Sequence, residues 1–344
     1  MARGIGVLLL VLLMLSAGRD RAVAAPSPDS FYTGKTVTLL VGFGPGGEND
    51  VWARIIAKHM VDHLPGRPRL VVQNSPGAGS LKLINQLYNV SPRDGTVIGL
   101  VSRGLPLEPL LGGEGTQFDP LKMNWLGSPD RDTTVCVARK DAKVQTLNDL
   151  FSKPLLVGAT GSGADTAIYP DFLAELLGMK FKTVKGYQGL KEITLAMERG
   201  EVEGICAAHD SLMRSALARA GKINILFQAA LTSDPRLKNV PVGADLARSD
   251  ADRQALQLFF ARVALGRPFV APPGVLPERV AILRQAFDDT MKDPGLIADA
   301  KRQDLNPGPI TGAELAELIA AAYKTPKAII ERTTLSLSRA RKGR

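Results

Sequence analysis

The chain has 344 residues, about two domains' worth, and its 45% hydrophobic and 22% charged residues exclude a disordered, collagenous or coiled-coil protein. Two cysteines exclude a disulfide-stapled scaffold or a cysteine-rich zinc module, and three histidines leave little for a histidine-built metal site. Aromatic residues at 5% are too sparse for a stacking platform on single-stranded nucleic acid, and a net charge of +9 favours anionic ligands.

Residues 1–25 read as a secretory signal peptide. Arg3 gives a positive start, residues 5–15 form an apolar run interrupted only by Gly6, and Ala22-Val23-Ala24 is a small-x-small cleavage site, with the cut after Ala24 or Ala25. The run is shorter than the roughly 18 residues a membrane-spanning helix needs, and Arg19, Asp20 and Arg21 stop it. Cleavage removes three arginines and one aspartate, so the charge falls from +9 to +7. No cysteine near the cut points to a lipid anchor, and no second long apolar run follows. The expectation is a soluble, exported, periplasmic protein with no nucleic-acid partner.

Residues 35–43 (KTVTLLVGF) predict a strand, and the turn Gly44-Pro45-Gly46-Gly47-Glu48-Asn49-Asp50 follows. Trp52, Ile55, Ile56, Met60 and Leu64 then recur at helical spacing until Pro65-Gly66. Residues 70–73 predict a second strand, which ends in the loop Asn74-Ser75-Pro76-Gly77-Ala78-Gly79. A helix over 81–88, a turn at 92–95 and a strand over 96–101 complete an α/β pattern with a parallel sheet. The pattern restarts with strands over 133–138 and 155–159, the loop Thr160-Gly161-Ser162-Gly163, a helix over 164–177 and a strand over 181–184. A helix over 190–199, strands over 204–208 and 223–227, and a proline-bounded loop over 235–241 follow. Last come a helix over 252–260, a strand over 268–271, a helix over 278–292 and an amphipathic segment over 314–332 with a break near Pro326. The four positive charges in the last six residues read as a frayed, solvated tail.

Gly42-Phe43-Gly44-Pro45-Gly46-Gly47 formally fits the dinucleotide fingerprint, but the second strand ends in Gln73-Asn74 rather than in the acid a ribose requires. A phosphate P-loop fails because Glu48 stands where lysine is needed. No cofactor is therefore expected. Glycine loops at strand ends do let backbone N–H groups approach a ligand, and a helix N-terminus behind them adds free donors and a positive dipole end. Three such loops (44–50, 74–79 and 160–163) point to one polar cleft, although any one of them would equally serve a tight turn. Arg103 and Arg131 have the fork that grips a carboxylate, and each would equally suit a structural ion pair. His59 and His63 stand one helical turn apart without the glutamate or third ligand of a zinc site. His209-Asp210-Ser211 are neighbours in sequence, which does not make a triad. With no nucleophile, base and metal set in view, an enzyme is not expected. Cys136 and Cys206 fall in predicted strands; an oxidising compartment permits a disulfide, and two buried thiols are the alternative.

The stretch "VTLLVGFGPGGENDVWARIIAKHM" followed by "VVQNSPGAGS" resembles the exported substrate-binding receptors of tripartite tricarboxylate transporters, the Bug family. "SPRDGTVIGLVS", "TGSGADT", "GYQGLKEITLAMERGEVEG" and "FVAPPGVLPERV" extend the resemblance, in order, over most of residues 31–290. The resemblance implies a two-lobed α/β periplasmic binding fold (type II), each lobe a mainly parallel sheet flanked by helices. One lobe would comprise residues 26–133 and 256–344, and residues 134–255 would form the inserted second lobe. The cleft would close on a small carboxylate or amino acid, which a monomeric receptor without metal or redox cofactor delivers to membrane subunits. Carried over by position, the ligand loops are Pro45, Gly46, Gly47, Glu48, Asn49 and Asp50; Asn74, Pro76, Gly77, Ala78 and Gly79; and Thr160, Gly161, Ser162 and Gly163. Tyr187 and Gly189 match the stretch that closes the second lobe, and Arg103 joins the set as a carboxylate partner. Many relatives have a small neutral residue where this chain has Glu48, which would repel an anion or hold an ammonium group. Relatives also often show Asp-Asn where this chain has Ala207-Ala208, so a tricarboxylate ligand is not to be read literally. An exported α/β enzyme acting on a small acid, or a ligand sensor for a membrane kinase, are the alternatives.

Overall fold

The protein is described from a computed structural model, which covers residues 31–131, 133–160, 164–187 and 189–342. The expected signal peptide and Gly161, Ser162 and Gly163 lie outside the described residues. In chain order the elements are β1 (Thr36–Val41), α1 (Glu48–His63), β2 (Arg69–Asn74), α2 (Leu81–Asn89), β3 (Val97–Leu100), β4 (Asn124–Ser128), β5 (Thr134–Arg139), β6 (Leu155–Ala159), α3 (Asp165–Leu177), β7 (Phe181–Lys185), α4 (Leu190–Arg199) and β8 (Gly204–Ala208). They continue with α5 (His209–Met213), α6 (Ala216–Arg219), β9 (Ile223–Ala229), α7 (Asp250–Phe260), β10 (Phe269–Ala271), α8 (Pro277–Thr290), α9 (Pro294–Arg302), β11 (Ile310–Thr311), α10 (Gly312–Tyr323) and α11 (Lys327–Lys342). Short 3-10 turns connect several of them.

The strands form two sheets, each the centre of one lobe. The first has the order β11-β4-β10-β3-β1-β2 and the second β7-β6-β8-β5-β9. In the first, β1 runs parallel to β2 and β3, and β10 enters antiparallel to both β3 and β4. In the second, β6 runs parallel to β7 and β8, and β5 enters antiparallel to β8 and β9. Both sheets are therefore parallel apart from the strand that arrives from the other lobe and, in the first, the edge strand β11. The chain crosses between β4 and β5, returns between β9 and β10, and reaches the second lobe again with α11.

The helical stripe of α1 is buried as its spacing requires: Trp52, Ile56 and Met60 pack with Val37, Leu39 and Val41 of β1 and with Phe269 and Phe287. In the second lobe, Tyr169 and Phe172 of α3 pack on Phe259 and Phe260 of α7. Cys136 and Cys206 are direct cross-strand partners of β5 and β8, fully buried and joined by a disulfide.

The short α5, α6 and β11 had no sequence signal, and three larger features also depart from the sequence reading. Residues 124–128 (NWLGS) hold no β-branched residue and gave no strand signal; β4 exists because β10 and β11 pair with its two edges. Helix α9 went unread, although Asp293-Pro294 is a start signal and the Asp293 side chain accepts from the Gly295 N–H at 2.6 Å. The tail is not frayed as far as Lys342. Pro326 does separate two helices, but α11 runs on through 342, Ala340 is buried, and Arg339 pairs with Glu175 at 3.5 Å. Leu337 joins the core of the second lobe, so this helix, assigned from sequence to the first lobe, packs across onto α3.

Ser80 draws the strand ends of the first lobe together. Its hydroxyl donates to the Gly42 carbonyl at 3.3 Å and accepts from the Ser102 N–H at 3.2 Å. A Cβ at Gly42 would stand 2.1 Å from that hydroxyl, so this glycine serves close packing of loops. Ala78, Gly79 and Ser80 all take left-handed backbone angles to make the turn into α2.

Candidate functional site

The carboxyl-end loops of both sheets face a cleft of about 750 Å³ between the lobes. The first lobe lines it with residues 43–49, Gly79, Ser102, Arg103 and Arg267, and the second with Thr160, Asp165, Gly189, Lys191, Ser211 and Arg214 among others.

The first loop is held from behind. Asp50 is buried and accepts from the Gly46 N–H (2.9 Å), Arg54 Nε (2.9 Å) and Asn74 Nδ2 (2.8 Å). Asn74 Nδ2 also reaches the Phe43 carbonyl at 3.0 Å. Burial alone would raise the Asp50 pKa; the bonds from Arg54, Gly46 and Asn74 outweigh it and hold the carboxyl below its ordinary range. Asp50 and Asn74, expected at the ligand, thus brace the loop, while Pro45, Gly46, Gly47, Glu48 and Asn49 form its cleft surface. Gly47 is the N-cap of α1 and supplies no side-chain cap, and Gly47, Glu48 and Asn49 at this helix start line the cleft.

The other expected residues divide. Gly79, Thr160 and Gly189 line the cleft; Gly77 and Ala78 lie outside its lining. Tyr187 packs against the second-lobe core, and its ring touches the space a Cβ at Gly158 would take. Arg103 lines the cleft and crosses the lobes, donating from Nε to Asp165 Oδ2 at 2.9 Å and from Nη2 to Thr134 Oγ1 at 2.7 Å. Arg131 pairs with Glu314 on the surface at 2.7 Å. His59 and His63 fasten α1 to α9 through Asp299 (2.8 Å) and Asp293 (3.1 Å).

Glu48 is the centre of an ion-pair group that the sequence did not show. Its Oε1 lies 2.7 Å from Arg267 Nη2, and its Oε2 accepts from the Ser211 hydroxyl and from Arg214 Nη2. Arg267 also donates to the buried Asp130. Ser211, Arg214, Lys191 and Arg267 carry no local motif; they meet Glu48 or the cleft only through tertiary packing, over separations of more than a hundred residues.

A second contact across the lobes centres on Asp210, which lies within 2.8 Å of His209 Nδ1 and accepts from Asn306 Nδ2 at 2.7 Å and Arg236 Nη1 at 2.6 Å. Burial alone would raise its pKa, but His209, Asn306 and Arg236 hold it well below the carboxylate range. The unfolded chain, with ordinary aspartates near pKa 4, therefore takes up protons first. Stability from Asp50 and Asp210 is full above about pH 5, begins to fall as pH drops through the unfolded value near 4, and goes on falling toward the lower folded values. Urea unfolding between pH 6 and pH 3 will show this loss, and Asp210→Asn will flatten it; an unchanged slope in the variant would remove Asp210 from the account.

The family model "tripartite tricarboxylate transporter family receptor" matches residues 52–335. The chain belongs to this family. Among curated relatives, a protein encoded in the gbd 5′ region of Cupriavidus necator is 24% identical over 322 residues, 92% of each chain. Among solved structures, MatC of Rhodopseudomonas palustris, solved with bound malate, superposes with a TM-score of 0.66 at 20% identity, covering 88% of this chain and 99% of its own. The periplasmic binding protein BugD superposes with a TM-score of 0.65 at 20% identity, covering 90% of this chain and 98% of its own. The fold is thus the two-lobed periplasmic binding fold of type II that the motifs implied. Members of the family are receptors of tripartite tricarboxylate transporters. No helix among the described residues is long and apolar enough to cross a membrane.

Proposed function

We propose that this receptor is exported by cleavage of residues 1–25, captures a small carboxylate between its lobes as a monomer, and delivers it to the membrane subunits of a tripartite tricarboxylate-type transporter. The observation that carries the reading is the uncapped N-terminus of α1, which opens onto an interlobe cleft bordered by Lys191 and three arginines. Free first-turn N–H groups, a positive dipole end and nearby cations suit a carboxylate and offer a sugar little. The malate bound to MatC, on the same fold, supports the class. The lobes would divide near residues 133 and 255 and move as a hinge, with bound ligand favouring the closed state by its higher affinity for it. The closed form would then be the one the membrane subunits accept.

A thermal-shift panel of carboxylates, amino acids, sugars and NAD tests this. A ligand at about 100 times its Kd adds roughly 2.7 kcal/mol, a shift of several degrees. Stabilisation by carboxylates alone is the expected result. Stabilisation by sugars or NAD, with none by carboxylates, would contradict the reading.

A further inference from the structure

We propose that Glu48 determines specificity by acting as the cleft's own second carboxylate, which restricts the ligand to one carboxylate group. The proposal rests on the carboxylate reading above.

The geometry around Glu48 is that of a complete carboxylate cradle. Its two oxygens receive two guanidinium groups and a hydroxyl, drawn from both lobes: Arg267 on Oε1, Arg214 and Ser211 on Oε2. Such charge-assisted, forked donors are what a ligand carboxylate seeks in a binding site. Both guanidinium groups are also held in place independently of Glu48. Arg267 is anchored by Asp130 and by its backbone N–H to Ser128 Oγ at 2.8 Å, and Arg214 Nη1 reaches the Asp304 carbonyl at 3.0 Å. The cradle is a preformed part of the cleft lining, and the side chains of Glu48 and Arg267 are each only 10% exposed.

With Glu48 in place, the cradle's charge is met from within the chain. A second ligand carboxylate arriving there would face Glu48 itself, a like charge in a poorly hydrated space. One carboxylate can still be received at the first turn of α1 and by Lys191. An ammonium group gains nothing at Glu48, because it would have to stand beside Arg214 and Arg267. Removing the carboxylate adds one net positive charge to the cleft and exposes three donors to a ligand.

The test compares the wild-type chain with Glu48→Ser, which opens space and removes charge, and Glu48→Gln, which removes charge at constant size. Calorimetric titration uses acetate, lactate and benzoate against succinate and malate. Wild type will bind a monocarboxylate at least tenfold more tightly than either dicarboxylate. Glu48→Ser will reverse that order, with a gain of tenfold or more for succinate or malate. Glu48→Gln, sterically blocked, will gain less than the serine variant. Wild type binding dicarboxylates as tightly as monocarboxylates would overturn the role of Glu48 while leaving the carboxylate reading intact; that comparison needs no variant to fold. Unaltered preference in a folded Glu48→Ser protein would do the same. Binding of none of these acids by any of the three proteins would overturn the carboxylate reading and the proposal with it.

Discussion

Replacing both Cys136 and Cys206 with alanine will lower the unfolding free energy by about 4 kcal/mol. The bridge joins residues 70 apart in sequence. In the chain-entropy model, closing a loop of that length removes about 4 kcal/mol of disorder from the unfolded state. The two cysteines face each other across neighbouring antiparallel strands, so folding brings them together whether or not they are bonded. The native sheet will therefore survive the change, and the loss will appear in the unfolded state. Urea unfolding should show a lowered midpoint, and circular dichroism an unaltered native spectrum. A difference below about 1 kcal/mol would contradict the prediction and would mean that the reduced unfolded chain is already compact.

The largest expected effect on binding comes from Gly47→Val. Gly47 caps α1 with φ of −80°, an extended angle any residue accepts, and a Cβ there would meet no atom within 4 Å. The substitution carries little strain, but its branched side chain stands where a ligand must approach the first-turn N–H groups. Carboxylate affinity should fall by about a hundredfold, roughly 2.7 kcal/mol, with the melting temperature nearly unchanged. Gly46→Val is the informative contrast. Gly46 has φ of +80°, and its N–H is bonded to Asp50. A β-branched residue there is expected to cost stability of about 1–2 kcal/mol as well as affinity. Equal affinity in wild type and Gly47→Val would remove the first loop from the binding surface.

Much of the architecture was legible because its signals are local. The apolar strand at 35–43, the stripe through Trp52, Ile56 and Met60, and the glycine loops state their periods within a dozen residues. The strand β4 was not legible, because NWLGS becomes a strand only when β10 and β11 flank it. The site divides along the same line. Residues 45–49 could be placed from a strand, a glycine turn and a following helix. The roles of Asp50 and Asn74 could not, since Asp50 lies in the first turn of α1 and Asn74 ends β2, yet the two turn inward to each other at 2.8 Å. Arg103 carried a carboxylate-binding signature, but its partner Asp165 lies in the other lobe. Arg214, Ser211 and Arg267 meet Glu48 from distant parts of the chain, and no sequence spacing encodes that meeting.

Binding of a small carboxylate between the lobes, at the N-terminus of α1, is what the proposed function requires. Its most direct test is a crystal structure of the chain with the carboxylate that the thermal-shift panel selects. Ligand density is expected to contact the backbone N–H groups of residues 47–49 and the second-lobe wall at Lys191, with Glu48 still seated on Arg214 and Arg267. Ligand bound outside the interlobe cleft, or within it but away from the first turn of α1, would overturn the proposed function.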